Sequence, residues 1–197
     1  DTGTKYLNCA GMQQIDVGDF SKFNNLLELN CSLLKLQKLI ISPKARMDKL
    51  NCSYNQLEEL VLYPENIQDE LDCSENLLKS LDLASQPELR ILNAKTNLLR
   101  SVELDKNLIG DEGGREIHIE IEKNLLSVLD LTSYDDITIS CDNDILRLLV
   151  PILKFDKDTE KIVKRMKFAI NQEVYLRNLA KVPHNWDITF TPRNDNA

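Results

Sequence analysis

The sequence contains Leu-Asn-Cys-Ser at residues 29–32 and again at 50–53, followed by Leu-Asp-Cys-Ser at 71–74 and Leu-Asn-Ala-Lys at 92–95. Successive copies are 21 residues apart without interruption. A fixed period of this length predicts a solenoid, because a single unit cannot bury its apolar side chains except against its neighbours.

Apolar residues follow a common frame in each unit. When the cysteine is position zero they recur at −2, +5, +8 and +10, as Leu50, Leu57, Leu60 and Leu62 do around Cys52. Alternation at −2 and 0 puts both side chains on one face of a short strand, and the pair at +8 and +10 predicts an extended segment on the opposite side of the coil. The frame covers seven units, with zero positions at Cys9, Cys31, Cys52, Cys73, Ala94, Ile121 and Cys141.

Two places depart from the period. The first unit has two residues fewer, which sets Ile15 and Val17 at +8 and +10, and six residues are inserted before the sixth unit. Within the insertion, Val102-x-Leu104-x-x-Asn107-x-Ile109 also fits the frame, so residues 105–114 form either an extra short repeat or a loop. The loop is favoured because Gly113 and Gly114 suit a turn.

The motif Leu-x-x-Leu-x-Cys-x-x-Asn-x-Leu, seen with alanine for cysteine from Leu89 to Leu99, resembles the leucine-rich-repeat consensus. The resemblance implies an α/β solenoid: a right-handed superhelix of strands and irregular coils with a concave strand face. It also implies that the recurring asparagines form a hydrogen-bonded ladder, here Asn55, Asn76, Asn97 and Asn124. The cysteine-containing units resemble those of bacterial leucine-rich-repeat proteins, including effectors delivered into host cells, which implies a scaffold for protein–protein interaction.

The array is predicted to occupy residues 1–151, because Pro151 cannot donate a ladder hydrogen bond where the next strand would continue. Residues 152–197 are predicted to form a helical cap and tail. Asp156 or Asp158 would cap a helix whose apolar positions recur at helical spacing, as Val163, Met166, Ile170 and Val174. The opposite face carries Lys157, Lys161, Lys164, Arg165 and Lys167, which would also suit a membrane surface or an acidic partner. A cap over the last coil is the favoured interpretation.

Residues of catalytic or metal-binding type do not form recognisable constellations. All five cysteines occupy position zero, a packing position, and none lies at the two-to-four-residue spacing of a zinc site. His118 and His184 have no nucleophile in a recognisable local arrangement. We therefore expect no catalytic residue, no metal and no cofactor, and predict that the chain is not an enzyme. The alternative is a targeting domain of a larger enzyme whose catalytic part lies outside this sequence.

Charge and cysteine usage narrow the class of partner and compartment. Asp and Glu outnumber Lys and Arg by 32 to 24, for a formal charge of −8, which disfavours nucleic acid. No apolar run approaches the ~20 residues needed to cross a bilayer. An odd number of cysteines without framework spacing favours a reducing compartment, either the cytoplasm or a host cytosol. The sequence begins at Asp1, not Met, which suits a piece of a longer protein. A monomer is expected.

The candidate binding surface follows from the strand alternation, which should turn the −3, −1 and +1 side chains outward. Tyr54 and Ile91 are the expected apolar anchors, and Glu120 with Glu122 should attract a partner that carries a basic patch. The predicted partner-binding residues are Glu28, Asn30, Lys49, Asn51, Tyr54, Glu70, Asp72, Ile91, Asn93, His118, Glu120 and Glu122.

Overall fold

The computed structural model describes residues 3–12, 17–106, 108 and 117–126, together with the strands at 136–140, 155–156, 161–162, 165–169 and 190–191. Regular structure in these residues consists of strands, without a helix. In chain order the strands are β1 (Tyr6–Asn8), β2 (Val17–Phe20), β3 (Glu28–Asn30), β4 (Lys38–Ile41), β5 (Met47–Asn51), β6 (Glu59–Val61), β7 (Ile67–Asp72), β8 (Ser80–Leu83), β9 (Ile91–Asn93), β10 (Ser101–Leu104), β11 (Ile117–Glu120), β12 (Asp136–Ser140), β13 (Phe155–Asp156), β14 (Lys161–Ile162), β15 (Arg165–Ala169) and β16 (Phe190–Thr191).

The main sheet has nine strands in the order β1-β3-β5-β7-β9-β11-β12-β15-β16, and all neighbours in it are parallel. Leu29 pairs with Leu50, Leu50 with Leu71, and Leu71 with Leu92. Residues one period apart therefore lie side by side, as the 21-residue spacing predicts. The fold is a parallel β-solenoid of stacked coils.

Strands on the opposite side of the coils form two shorter parallel sheets, β2-β4-β6 and β8-β10. They carry the +8 and +10 residues, for example Leu81 opposite Val102, so the predicted second extended segment is confirmed. The alignment of the first unit was wrong, since Gly18 pairs with Leu39 and Phe20 with Ile41. A Cβ on Gly18 would lie 3.1 Å from side-chain carbons of Leu36, Leu39 and Phe20, so a larger residue here would require these side chains to shift.

The core lies between the main sheet and these shorter sheets. Cys31, Cys52 and Cys73 are completely buried, and so are Ala94 and Ile121 at the same position of later coils. The leucines at −2 and +5 are buried with them, except Leu7 in the first coil and Leu126 in the sixth, which are partly buried. Position zero is therefore a packing position in every coil from Cys31 to Ile121, as the sequence predicts.

A ladder of asparagines at +3 connects each coil to the one before it. Asn55 Nδ2 donates to the carbonyl oxygens of Cys31 and Cys52, both at 2.9 Å, and its Oδ1 accepts from the backbone N–H of Leu34 and Leu36. Equivalent bonds are made by Asn76, Asn97 and Asn124. The predicted ladder is confirmed. It supplies hydrogen bonds to backbone N–H and C=O groups that pairing between strands leaves free.

A second pair of inter-coil amides, which was not predicted from the sequence, lies in the turns before strands β7 and β9 and is here called the second ladder. The buried Asn66 donates through Nδ2 to the carbonyl oxygens of Ser42 and Ala45 in the preceding coil, at 3.0 and 2.8 Å. In the next coil Gln86 donates to the carbonyl oxygen of Tyr63 at 2.8 Å and accepts from the N–H of Ile67. These amides satisfy turns that would otherwise bury unpaired backbone groups.

The residue at +2 of each of the first six coils adopts a left-handed backbone conformation. Gly11 has a φ of 65°, and the non-glycine residues at the same position have φ between 52° and 59°. These are Leu33, Tyr54, Glu75, Thr96 and Lys123. The N–H of this residue donates a hydrogen bond to the next coil, as that of Tyr54 does to Ser74 O at 3.1 Å. The strained turn therefore adds a hydrogen bond between neighbouring coils.

The insertion before the sixth unit does not add a coil to the main sheet. Strand β11 pairs directly with β9, with Ile119 opposite Leu92, while Val102 and Leu104 belong to β10 on the other side. No strand separates β9 from β11, so the extra-repeat alternative is excluded. Residues 107 and 109–116 themselves lie outside the described residues.

The C-terminal segment departs from the helical expectation where it is described. Arg165–Ala169 forms strand β15, which pairs with β12, and Asp156, one of the two predicted helix caps, lies in β13, antiparallel to β14. Strand pairing with β12 thus overrides the helical periodicity at Met166. The other predicted helix positions lie outside the described residues. The division of the chain at residue 151 stays a prediction, although the main sheet continues beyond it.

Candidate protein-binding face

The solvent side of the main sheet, here called the outer face, carries the −3 and −1 side chains of the strands. The burial pattern of β3, with Leu29 buried between Glu28 and Asn30, recurs in β9 and β11. Because the strands keep one register, outward side chains form columns along the solenoid. The predicted outward direction of −3 and −1 is confirmed for the described coils.

A depression of about 310 Å³ lies on the outer face across the first three coils. Tyr6 and Asn8 of β1 line it, with Glu28 and Asn30 of β3 and Lys49 and Asn51 of β5. The structure thus brings together four of the predicted binding residues, Glu28, Asn30, Lys49 and Asn51.

Tyr6 and Asn8 line the depression but are not among the predicted binding residues. Tyr6 is 64% exposed, and it stands in the same −3 column as Glu28 and Lys49. Aromatic rings supply much of the energy of protein interfaces. Tyr6 is the only Phe, Tyr or Trp residue at −3 in the described coils, and this was the signal in the sequence that pointed to it.

The −1 side chains are held in place by turns at the strand ends. Asn51 Oδ1 accepts hydrogen bonds from the backbone N–H of Ser53 at 3.0 Å and from its hydroxyl at 2.7 Å. Asn30 with Ser32 and Asp72 with Ser74 repeat the arrangement. The three serines are buried, so the expectation that +1 side chains point outward was wrong for them. Asn51 accepts both hydrogen bonds of this turn through its side-chain oxygen, and its side-chain nitrogen donates neither of them.

An ion pair joins two neighbouring coils beside the depression. Lys49 Nζ lies 2.7 Å from Glu70 Oε2, directly across from it in register. The hydrogen bond to Glu70 raises the pKa of Lys49, and the charges of Glu70, Glu28 and Asp72 act in the same direction against burial. Lys49 is therefore positively charged and oriented where it borders the depression.

The acidic end of the outer face is already bound by a lysine of the chain. Lys95 Nζ lies 2.8 Å from Glu120 and 3.4 Å from Glu122. Burial works to lower the pKa of Lys95, but the hydrogen bond to Glu120 and the two negative charges outweigh it and raise the pKa. Glu122 is only 7% exposed, so its predicted outward placement was wrong: the carboxylate folds in beside Lys95.

The remaining predicted residues occupy three places. Ile91 and His118 are exposed and stand opposite each other on β9 and β11. Asn93 accepts from the N–H of Lys95 at 3.3 Å in the same column as Asp72. Tyr54 is exposed but lies beyond the end of β5, in the left-handed turn, so it belongs to the edge of the coil and not to the outer face.

The charge of the outer face is negative. Among its described −3 and −1 residues, four are acidic and one is basic: Glu28, Glu70, Asp72 and Glu120 against Lys49. The difference, 1 − 4, gives a net charge of −3 for this surface. A positively charged partner would be attracted to it.

The chemistry of the cysteines is that of inert packing groups. Cys9, Cys31, Cys52 and Cys73 are free thiols, and burial raises the pKa of each. They are therefore neutral near pH 7, when a nucleophile or metal ligand would need the thiolate. Within the described ranges no group of three or more His, Cys, Asp and Glu side chains is placed to hold a metal ion. Cys141 lies outside those ranges.

These features define a parallel β-solenoid of stacked repeats with a polar, negatively charged outer face. No protein-family model matches the chain, and a search of curated proteins finds no match either. In the part of the chain that the structure describes, no helix has the length and apolar character needed to cross a membrane.

Proposed function

We propose that the chain is a scaffold that binds a segment of another protein on its outer face. The observation that carries the proposal is the depression formed by Tyr6, Glu28 and Lys49, in which an exposed aromatic ring stands beside charges of both signs. A concave site with an apolar anchor and oriented polar groups suits recognition of a side chain or short segment.

The repeats are proposed to be leucine-rich repeats. Support comes from the consensus around Leu92 and Ala94 and from the buried asparagine ladder at +3, which caps the turn after each strand. Strand-side recognition of proteins is the use that the resemblance implies. Membership of the bacterial effector type remains an expectation from the sequence alone.

The partner is proposed to present a basic patch toward the outer face. The net charge of −3 on that face supports this. Two of its carboxylates already form ion pairs within the chain, however, which limits the binding energy that a basic partner gains from them. Lys49 and Lys95 already satisfy Glu70 and Glu120, so the carboxylate beside the depression that a basic residue would meet first is Glu28. Neutral thiols kept free of disulfides support a reducing compartment.

Selection of peptides against the full chain tests the proposal. A library of random peptides displayed on phage is panned on the immobilised protein, and enriched peptides are resynthesised and titrated by fluorescence anisotropy. We expect enriched sequences to contain Lys or Arg, and Tyr6→Ala and Glu28→Lys each to weaken their binding about tenfold or more.

The matched control is Glu103→Lys, which reverses an exposed carboxylate on β10, on the opposite side of the coil. It should leave peptide binding within twofold. Enriched peptides that bind Tyr6→Ala and Glu28→Lys as tightly as the parent would overturn the proposal. Peptides that lose binding only with the β10 variant would overturn it as well.

A further inference from the structure

The edge of the solenoid that follows the main-sheet strands carries an exposed row of large apolar side chains. Each of the first six coils contributes one, at +3 in the first coil, at +2 in the second and third, and at +4 in the fourth to sixth. The row, here called the apolar edge, consists of Met12, Leu33, Tyr54, Leu77, Leu98 and Leu125. Their exposed fractions run from 38% to 65%, although leucine at a neighbouring frame position, +5, is buried in the second to fifth coils.

In the fourth to sixth coils the turns that carry the apolar edge are stacked by hydrogen bonds. The N–H of Leu77 donates to Leu57 O at 3.0 Å, that of Leu98 to Leu78 O at 2.9 Å, and that of Leu125 to Leu99 O at 2.9 Å. Neighbouring coils lie ~4.8 Å apart, so five steps span roughly 24 Å. Single exposed apolar residues need no explanation, but one on each of six stacked coils does.

The charges beside the apolar edge have the sign opposite to that of the whole chain. From +2 to +6 of the described coils the basic residues are Lys35, Lys79, Arg100 and Lys123, and the acidic ones are Glu58 and Glu75. The difference, 4 − 2, is +2, while the complete chain carries −8. Within the described residues neither Lys79 nor Arg100 forms an ion pair, and the N–H of Arg100 donates to Lys79 O at 3.0 Å, so the two cations are adjacent.

We propose that the apolar edge binds an acidic amphipathic helix of a partner protein, lying along the stack of coils. One helical turn rises ~5.4 Å, close to the ~4.8 Å between coils, so apolar residues at i, i+4 and i+7 meet successive edge residues. A helix of about 16 residues spans roughly 24 Å, the length of the row. Carboxylates flanking its apolar stripe pair with Lys79 and Arg100.

The charge distribution also sets where the acidic part of the helix lies. In the +6 column Gln37 and Glu58 precede Lys79 and Arg100, so the cationic half of the edge is at Leu77, Leu98 and Leu125. The most acidic part of the partner helix is placed there. This surface is distinct from the outer face, and the proposal does not rest on the function proposed for that face.

The probe is a synthetic 16-residue peptide with leucines at helical spacing and glutamates on both flanks, labelled for fluorescence anisotropy. A second peptide has every glutamate replaced by lysine. The full chain is expected to bind the acidic peptide at least about tenfold more tightly than the basic one. Leu98→Ser and Arg100→Glu are each expected to weaken binding of the acidic peptide about tenfold.

Two matched variants control for general effects on the surface. Tyr63→Ser removes a side chain as exposed as Leu98 but off the apolar edge, and Lys44→Glu reverses an exposed charge in the turn after β4. Both should leave binding within twofold. Equal binding of the two peptides, or equal losses in the edge and control variants, would overturn the proposal.

Two measurements without peptide distinguish other occupants of the apolar edge. Co-sedimentation with vesicles of phosphatidylcholine and phosphatidylserine, lost in Leu98→Ser, would assign the edge to a membrane surface and overturn the helix proposal. A dimer in analytical ultracentrifugation that Leu98→Ser dissociates would assign it to a second copy and overturn it too. We expect a monomer that stays in the supernatant.

Discussion

Asn76 Nδ2 donates a hydrogen bond of 3.1 Å to the carbonyl oxygen of Cys52, 24 residues earlier and one coil back. The same amide donates to Cys73 and Ser74 in its own coil, and its oxygen accepts from the N–H of Leu57. One buried side chain therefore fixes the turn of its own coil and the distance to the previous coil. Its removal tests how far the ladder stabilises the stack.

We expect Asn76→Asp to lower the free energy of unfolding by roughly 2–4 kcal/mol, because it keeps the acceptor but removes three donor bonds and buries a carboxylate. Chemical denaturation followed by circular dichroism measures the change. Asn51→Asp is the matched control, since Asp72 naturally fills that position and accepts the same serine bonds. Similar losses in both variants would contradict a special role for the ladder.

Cys52 tests whether position zero is a dry packing position. Cys52→Ser is expected to destabilise the chain by roughly 1–3 kcal/mol, because its hydroxyl would be buried without a dedicated partner. Cys52→Ala should cost less than Cys52→Ser, since Ala94 occupies the same position in the fifth coil without exposure. Melting temperatures of both variants equal to that of the parent would count against buried thiols.

The left-handed residue at +2 offers a stabilising substitution. Thr96 has a φ of 52°, where a β-branched residue is strained, and Gly11 fills the same position of the first coil. Thr96→Gly is expected to raise the free energy of unfolding by about 0.5–1 kcal/mol as the relief of strain exceeds the entropy cost of glycine. Ser80→Gly, in strand β8, should instead destabilise. Destabilisation by Thr96→Gly equal to that by Ser80→Gly would refute the argument.

The thiols also predict how stability depends on pH. Burial raises the pKa of Cys31, Cys52 and Cys73 in the folded chain above the usual value of 9.0, so above pH 9 the unfolded chain loses these protons first. Their contribution is fully present below pH 9 and is lost as pH rises further. Each thiol should contribute a slope that averages about 1 kcal/mol per pH unit between pH 9 and 10 and approaches about 1.4 at higher pH, where the unfolded thiols are fully ionised.

Urea titrations between pH 9 and 10 measure this slope. Cys52→Ala should reduce it by about one thiol's share, that is, about 1 kcal/mol over this pH unit. The variant removes one ionisable group and leaves the lysines unchanged, so it separates the thiols from Lys49 and Lys95. An unchanged slope in Cys52→Ala would show that Cys52 titrates normally in the folded chain.

The stacking register could be predicted from the sequence because one period controls it: Leu50 and Leu71 are 21 residues apart and pair. The second ladder could not be predicted from the sequence, since Asn66 and Gln86 stand at different frame positions, +14 and +13, and differ in residue type. The pairing of Lys95 with Glu120 was missed because it joins coils separated by the insertion, which breaks the period. Met166 fits helical and alternating patterns alike, so only its pairing with Ile137 on β12 decides for a strand.

The candidate face was predicted in part. Strand alternation correctly turned Glu28 and Asn51 outward, because backbone geometry alone fixes −3 and −1. It failed at +1, where the strand has ended and Ser53 turns back to Asn51. Burial of Glu122 likewise depends on a partner, Lys95, that occurs in only one coil.

Site-resolved labelling of the native protein by iodoacetamide, followed by mass spectrometry, tests the stacked core most directly. We expect Cys31, Cys52 and Cys73 to remain unmodified under native conditions while half-buried Cys9 reacts slowly, and all four to react in denaturant. Labelling of Cys31, Cys52 and Cys73 in the native protein at the rate seen in denaturant would contradict a buried stack of thiols.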